Sequence, residues 1–162
     1  MFVLSFDGIV EEINDISMHN MQGNLNCSQR FTIRSNGEIV HIIVNRETYI
    51  VQRNAIEIGD EITVYYDGNA PVPLIYPPQY TAVLLAKKVP QYNVKVAYFD
   101  DNLVSDDHQL QIRVDDSVVI QYENGQPYRG PIQHHLLAVV YDRSTRSIPA
   151  QTTPISITVI CS

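Results

Sequence analysis

The side chains that could do chemistry in this sequence are a pair of imidazoles, two thiols, a cluster of carboxylates, and tyrosines set among prolines. His134-His135 is the paired imidazole. Neighbouring side chains in an extended chain point to opposite faces, so adjacent histidines rarely serve one metal, and a solvated turn or strand edge is the stronger reading. Asp100, Asp101, Asp106, Asp107 and His108 form an acidic loop without the spacing or closing glutamate of an EF-hand. Met18, His19 and Met21, with Cys27 nearby, offer soft donors suited to Cu(I), but in a spacing that matches no metal motif. No metal and no cofactor is therefore expected. Cys27 with His19 or His41 could be written as a nucleophile and its base, yet nothing around Cys27 favours that over a buried structural thiol. The GxSxG, HExxH, P-loop and GxGxxG patterns are all missing. No catalytic residue can be assigned, and an enzyme or metal protein with an unrecognised site stands only as an alternative.

The tyrosines are more distinctive. Tyr66-Asp67-Gly68-Asn69-Ala70-Pro71-Val72-Pro73-Leu74-Ile75-Tyr76-Pro77-Pro78-Gln79-Tyr80 carries four prolines within eight residues. Each proline fixes φ and removes a backbone donor, so the segment is stiff and extended. Leu74, Ile75, Tyr76 and Tyr80 are large side chains on that support. They form either a preorganised partner site, giving contact area at little entropic cost, or a plug sealing a barrel mouth. The plug weighs more, since Leu-Ile-Tyr is also what fills a core. Ser144 to Pro154 is the second such loop, and Arg146 is its cationic candidate.

These loops must hang on strands. Hydrophobic residues make up 44% of the 162, so a folded core is expected. Val, Ile, Tyr and Thr abound, Gly and Pro punctuate at short intervals, and no sustained stripe at helical spacing exists. Phe2 to Ile13 alternates around Gly8, where a long strand could bend or bulge. Asn36-Gly37 between Phe31–Arg34 and Ile39–Val44 is a strong hairpin signal. Glu61 to Asp67 and Thr81 to Lys87 complete a five-strand order resembling an OB-fold, a partly open five-stranded barrel, without the usual helix after the third strand.

The second half repeats the first in outline. Val3-Leu4-Ser5-Phe6-Asp7 matches Val96-Ala97-Tyr98-Phe99-Asp100, and Ile62–Asp67 matches Leu137–Asp142. After each Tyr-Asp comes a proline-bearing loop and a β-branched last strand. The expectation is an all-β chain of two tandem OB-like modules related by duplication, residues 1–89 and a shorter 90–162, divided before Pro90.

Charge narrows the partners. The net charge is −7, with six Lys and Arg against ten Asp and Glu in residues 1–88, and five against eight in 89–162. Phosphate binding uses clustered cations, and only Lys87-Lys88 are adjacent, so nucleic acid is disfavoured. Single-stranded nucleic acid on an OB-type face, using Tyr49, Phe31 and Arg34, is kept as the second reading. The N-terminus lacks a secretory pattern and no apolar run approaches the length of a membrane helix, so a cytoplasmic protein is expected, with Asn26-Cys27-Ser28 a coincidental glycosylation match.

The PLIYPPQY run, with Ser144-Thr145-Arg146-Ser147-Ile148-Pro149-Ala150-Gln151-Thr152-Thr153-Pro154 as its second-half counterpart, resembles an uncharacterised family of bacterial proteins. The resemblance spans the chain and implies no activity. The function expected is non-enzymatic: a module recognising a protein, a peptide or its own copies through the Tyr- and Pro-rich loops.

Overall fold

A computed structural model describes residues 1–16 and 27–161. Met18, His19 and Met21, and Asn26 of the glycosylation match, lie outside the described residues. The chain is all-β. Among the described residues, thirteen strands and one 3-10 turn make up its elements, and no helix is long and apolar enough to cross a membrane. The chain divides into two compact units, Met1–Lys88 and Val89–Ser162.

In the first unit, β1 (Val3–Ile16), β2 (Ser28–Ser35), β3 (Glu38–Val44), β4 (Tyr49–Ile50), β5 (Glu61–Asp67), β6 (Gln79–Thr81) and β7 (Leu84–Lys87) form one sheet, ordered β4-β7-β5-β1-β2-β3-β6. Period-2 alternation decides which side chains turn inward: Val10, Phe31, Ile33, Ile42, Ile62, Val64 and Leu85 meet in one core. Asn36 and Gly37 both take positive φ, 50° and 78°, which makes the tight two-residue hairpin joining β2 to β3. The bend expected at Gly8 falls instead between Val10 and Glu12, where the register against β2 shifts. Gly8 serves a different need. A Cβ there would sit 2.3 Å from Ile33 Cγ2 and 2.8 Å from the Arg34 carbonyl oxygen.

The last strand is split. β6 pairs in parallel with β3, and β7 pairs antiparallel with β5. Ala82 and Val83 carry the chain between them: the Ala82 N–H donates to Ile43 O at 2.9 Å and the Val83 N–H to Tyr65 O at 2.8 Å. This single extended run therefore bonds to β3 through its first part and to β5 through its second. The stretch after β3 holds no α-helix, only β4 and a 3-10 turn, Val51–Arg53.

The second unit contains β8 (Asn93–Phe99), β9 (Leu110–Ile112), β10 (Val119–Tyr122), β11 (His135–Tyr141), β12 (Ala150–Thr152) and β13 (Ser156–Ile160). They do not form the single sheet expected of a second barrel. Four are ordered β10-β13-β11-β8, and β12 pairs with β9 separately. Isolated bridges, Phe99 with Ser105 and Val104 with Gln111, connect the region between β8 and β9. Phe99, Leu110, Ile112, Leu137, Val139, Ile157 and Val159 build its core. Both faces of β11 and β13 are buried, which explains their uninterrupted apolar sequences.

The pairing senses recur. β1 with β5, β5 with β7, β4 with β7 and β3 with β6 are matched by β8 with β11, β11 with β13, β10 with β13 and β9 with β12, antiparallel twice and then parallel twice. The ladders correct one detail of the sequence match. Phe6 stands opposite Val64, but Lys95 rather than Phe99 stands opposite Val139. Aligning Tyr66-Asp67 with Tyr141-Asp142 thus moves Phe99 onto Val10, four residues from Phe6. Alternation repeats every second residue, so it fixes the face of a strand but not its phase along the axis.

Candidate functional site: the proline-bearing loops

The loop between β5 and β6 begins at Asp67, whose carboxylate Oδ1 accepts from the Asn69 N–H at 3.0 Å and the Phe2 N–H at 3.3 Å. The Gly68 N–H donates to Phe2 O at 2.7 Å, so the loop base is tied to the start of β1. Beyond that base the prolines carry the chain outward. Leu74 is fully exposed, Tyr76 is 86% exposed and Ile75 is 53% exposed. The plug expected of these residues is not formed, because the core is already closed by Phe31, Ile42, Val64 and Leu85 without them. A proline-rich segment also lacks the donors to run along a strand edge, and this one meets β3 at its end, where Pro78 O accepts from the His41 N–H at 2.9 Å.

Tyr80 behaves differently from its neighbours in sequence. It lies on β6, half-buried, with its ring centroid 4.4 Å from that of Tyr66 and 6.2 Å from that of Phe6. Burial, and then the neighbouring Tyr80, raise the Tyr66 hydroxyl pKa. Tyr66 and Tyr80 line a cleft of about 300 Å³ together with Met1, Asp67, Gln79 and the Pro71-Val72-Pro73 arm of the loop. Phe2, 55% exposed, and Leu4 continue the apolar surface from the cleft, and a Cβ on Gly68 would collide with both. Sequence reading missed Met1, Phe2, Leu4, Tyr66 and Val72 as parts of this surface. The signal was present: no charged residue occurs from Gly68 to Ala86, nor from Met1 to Phe6.

In the second unit the loop between β11 and β12 is held by its own hydroxyls. Thr145 Oγ1 accepts from the Gln151 N–H at 2.9 Å and lies 2.7 Å from Ser147 Oγ, which donates to Pro149 O at 2.8 Å. The Thr152 hydroxyl donates to the Arg143 carbonyl. These bonds leave Ile148, 83% exposed, and Arg146, also exposed, projecting from a fixed loop.

The other candidates separate. His134, at φ 59°, places Nε2 2.5 Å from Asp101 Oδ1, while His135 Nδ1 donates to Gln133 O at 2.7 Å. The two imidazoles thus have different partners. Asp100 Oδ1 caps its own loop, accepting from the Asn102 and Val104 N–H groups at 2.9 and 3.0 Å. Asp107 is occupied by Lys95, Ser105 and the Gln109 N–H. Among the described residues no three His, Cys, Asp or Glu side chains converge. Cys27, expected as a buried thiol, is exposed at φ 66° just before β2.

The residues offered for base stacking also disperse. Phe31 is in the first core, so it could meet a base only by opening that core. Arg34 Nε lies 2.5 Å from Glu11, Lys87 lies 3.1 Å from Asp60, and Lys88 lies 2.9 Å from Glu61 and 3.3 Å from Asp7. Cations already matched by carboxylates give little attraction to phosphate. No protein-family model and no curated protein matches the chain.

Proposed function

We propose that this chain is a non-enzymatic binding module which recognises a protein or peptide segment, or a second copy of itself, through its Tyr- and Pro-rich loops. The observation that carries this reading is the set of large side chains, Leu74, Ile75 and Tyr76, held in solvent by prolines 71, 73, 77 and 78. Soluble chains rarely expose a contiguous apolar surface of this kind unless it is used. Rigid aromatics on a proline support lose little entropy on binding.

The scaffold in this proposal is a pair of tandem OB-like small barrels descended from one module, consistent with the bacterial family carrying the PLIYPPQY and STRSIPAQTTP signatures. Support for a barrel in the first unit comes from the β6–β7 run, which joins β3 to β5 and leaves no long strand unpaired on one side. Support for duplication comes from the four recurring pairings and from the shared places of Val83 and Ile155. The Val83 N–H donates to Tyr65 O and the Ile155 N–H to Val140 O, both at 2.8 Å, one position after Val64 and Val139. The bridges at Val104 and Ser105 then stand where β2 stands in the first unit. A cytoplasmic setting belongs to the same proposal.

Peptide display against the wild-type chain, with counter-selection on a Leu74→Ser/Tyr76→Ser double variant, tests the function. Peptides retained by the wild type and lost by the double variant are the expected result. Peptides retained equally by both would remove the loop from the recognition surface, and none retained by either would remove peptides as its partner.

A further inference from the structure

The cleft beside β6 has a mixed lining. Two rings, Tyr66 and Tyr80, meet the Asp67 carboxylate, the Gln79 amide and the arm formed by Pro71, Val72 and Pro73, and among the described residues no Lys, Arg or His lines it. The ring centroids are 4.4 Å apart, with their planes tilted by 32°. At about 300 Å³ the cleft is at the lower limit of ligand sites, with room for one side chain rather than a large cofactor.

Asp67 decides the occupant. It is half-buried, and its Oδ1 accepts from the Asn69 and Phe2 N–H groups at 3.0 and 3.3 Å, so the backbone fixes where the charge sits. A carboxylate offers about four lone-pair sites, and two such bonds do not exhaust it. An apolar side chain seated here would strip water from that carboxylate and return no hydrogen bond, and an acidic one would repel it. A cation supplies both the opposite charge and the donors. The rings favour the same partner, since the face of a tyrosine is the negative side of its quadrupole and attracts a cation within about 6 Å of the centroid. So does the charge of the unit, with six Lys and Arg against ten Asp and Glu in residues 1–88.

Among cations the guanidinium suits this lining best. It is planar, stacks on aromatic faces and pairs with a carboxylate through two parallel bonds, whereas an ammonium is compact and strongly hydrated. The Gln79 side-chain carbonyl and the tyrosine hydroxyls are further acceptors for its five donors. We infer that the cleft is the pocket for one arginine side chain of the recognised segment, its guanidinium paired with Asp67 and laid against the Tyr66 and Tyr80 rings. This rests on the reading of the loop as a recognition surface and gives its partner a chemistry.

Amide chemical shifts of the full chain test it, titrated with the capped pentapeptide Ala-Ala-Arg-Ala-Ala and with counterparts carrying citrulline or lysine at the centre. Citrulline keeps the shape of arginine without its charge. The arginine peptide is expected to shift the amides of Asn69, Ala70, Val72 and Gln79–Thr81, with a dissociation constant on the order of millimolar. The lysine peptide should bind more weakly, and the citrulline peptide more weakly by about tenfold or more. Asp67→Asn keeps an oxygen for the Asn69 and Phe2 N–H groups and should weaken the arginine peptide by a similar factor. Glu38→Gln, which removes one exposed carboxylate outside the cleft, should leave it unchanged. Absence of these shifts, citrulline or lysine bound as tightly as arginine, or an Asp67→Asn variant that binds like the wild type overturns the inference. The citrulline comparison uses the wild type, so it decides even if Asp67→Asn does not fold. If the arginine peptide fails while the Leu74→Ser/Tyr76→Ser variant still loses displayed peptides, only the arginine pocket falls. If that variant keeps them all, the recognition surface falls with it.

Discussion

Tyr76 and Tyr80 stand four residues apart in one loop and strand, and truncating them should have opposite consequences. Tyr80 is half-buried, its ring tilted 32° to that of Tyr66 with centroids 4.4 Å apart and lying 6.2 Å from that of Phe6. Removing its ring exposes apolar area that transfers at about 25 cal/mol per Å² and forfeits an aromatic pair contributing ~0.5–1.5 kcal/mol. Tyr80→Ala should therefore cost roughly 2–4 kcal/mol, near the lower end of core aromatic truncations. Tyr76 is 86% exposed and has almost no buried area to lose, so Tyr76→Ala should change stability by less than about 0.5 kcal/mol. Urea denaturation followed by circular dichroism compares the midpoints directly, provided both variants keep the wild-type slope. If Tyr76→Ala fell as far as Tyr80→Ala, the ring would be covered in solution, and the loop would be a plug after all.

Gly8→Ala should destabilise the first unit by about 1–3 kcal/mol or more, because the new methyl meets both the Ile33 side chain and the fixed Arg34 backbone; a wild-type midpoint would contradict this. Tyr65, whose hydroxyl is raised from 10.0 to about 12 by burial and then by Asp7, supplies a pH signature. Its folded pKa exceeds the unfolded one, so its contribution is complete below pH 10 and is lost as pH rises towards 12. Tyr65→Phe should flatten stability in that window, and an unchanged alkaline slope would show that the hydroxyl is not shielded.

The all-β character was legible because alternation, Val and Ile content and turn residues all agreed, and the hairpin at Asn36-Gly37 was legible because positive φ at both positions asks for those residues. Two features of the first unit could not be read. β4 and β6 are two and three residues long, too short to show any period, so their parallel pairings with β7 and β3 leave no trace in the sequence. Gly8 within an alternating strand reads as a bend, whereas in the structure it permits the close approach of Ile33. At the site, Leu74-Ile75-Tyr76 has the same composition whether it plugs a core or faces a partner. What separates those outcomes is how completely Phe31, Ile42, Val64 and Leu85 fill the interior, a quantity that exists only once the strands are assembled.

The central claim is that the proline-held loop is a recognition surface, and a chemical-shift map on isotopically labelled protein tests it most directly. The titrant is the tightest peptide obtained by display on the wild type. Shifts confined to Gly68–Thr81 and Met1–Leu4, with the core amides of β2 and β5 unmoved, are the predicted result. Shifts centred elsewhere, on the Ser28–Arg46 side of the first unit or on the acidic loop at Asp100–His108, would contradict the account.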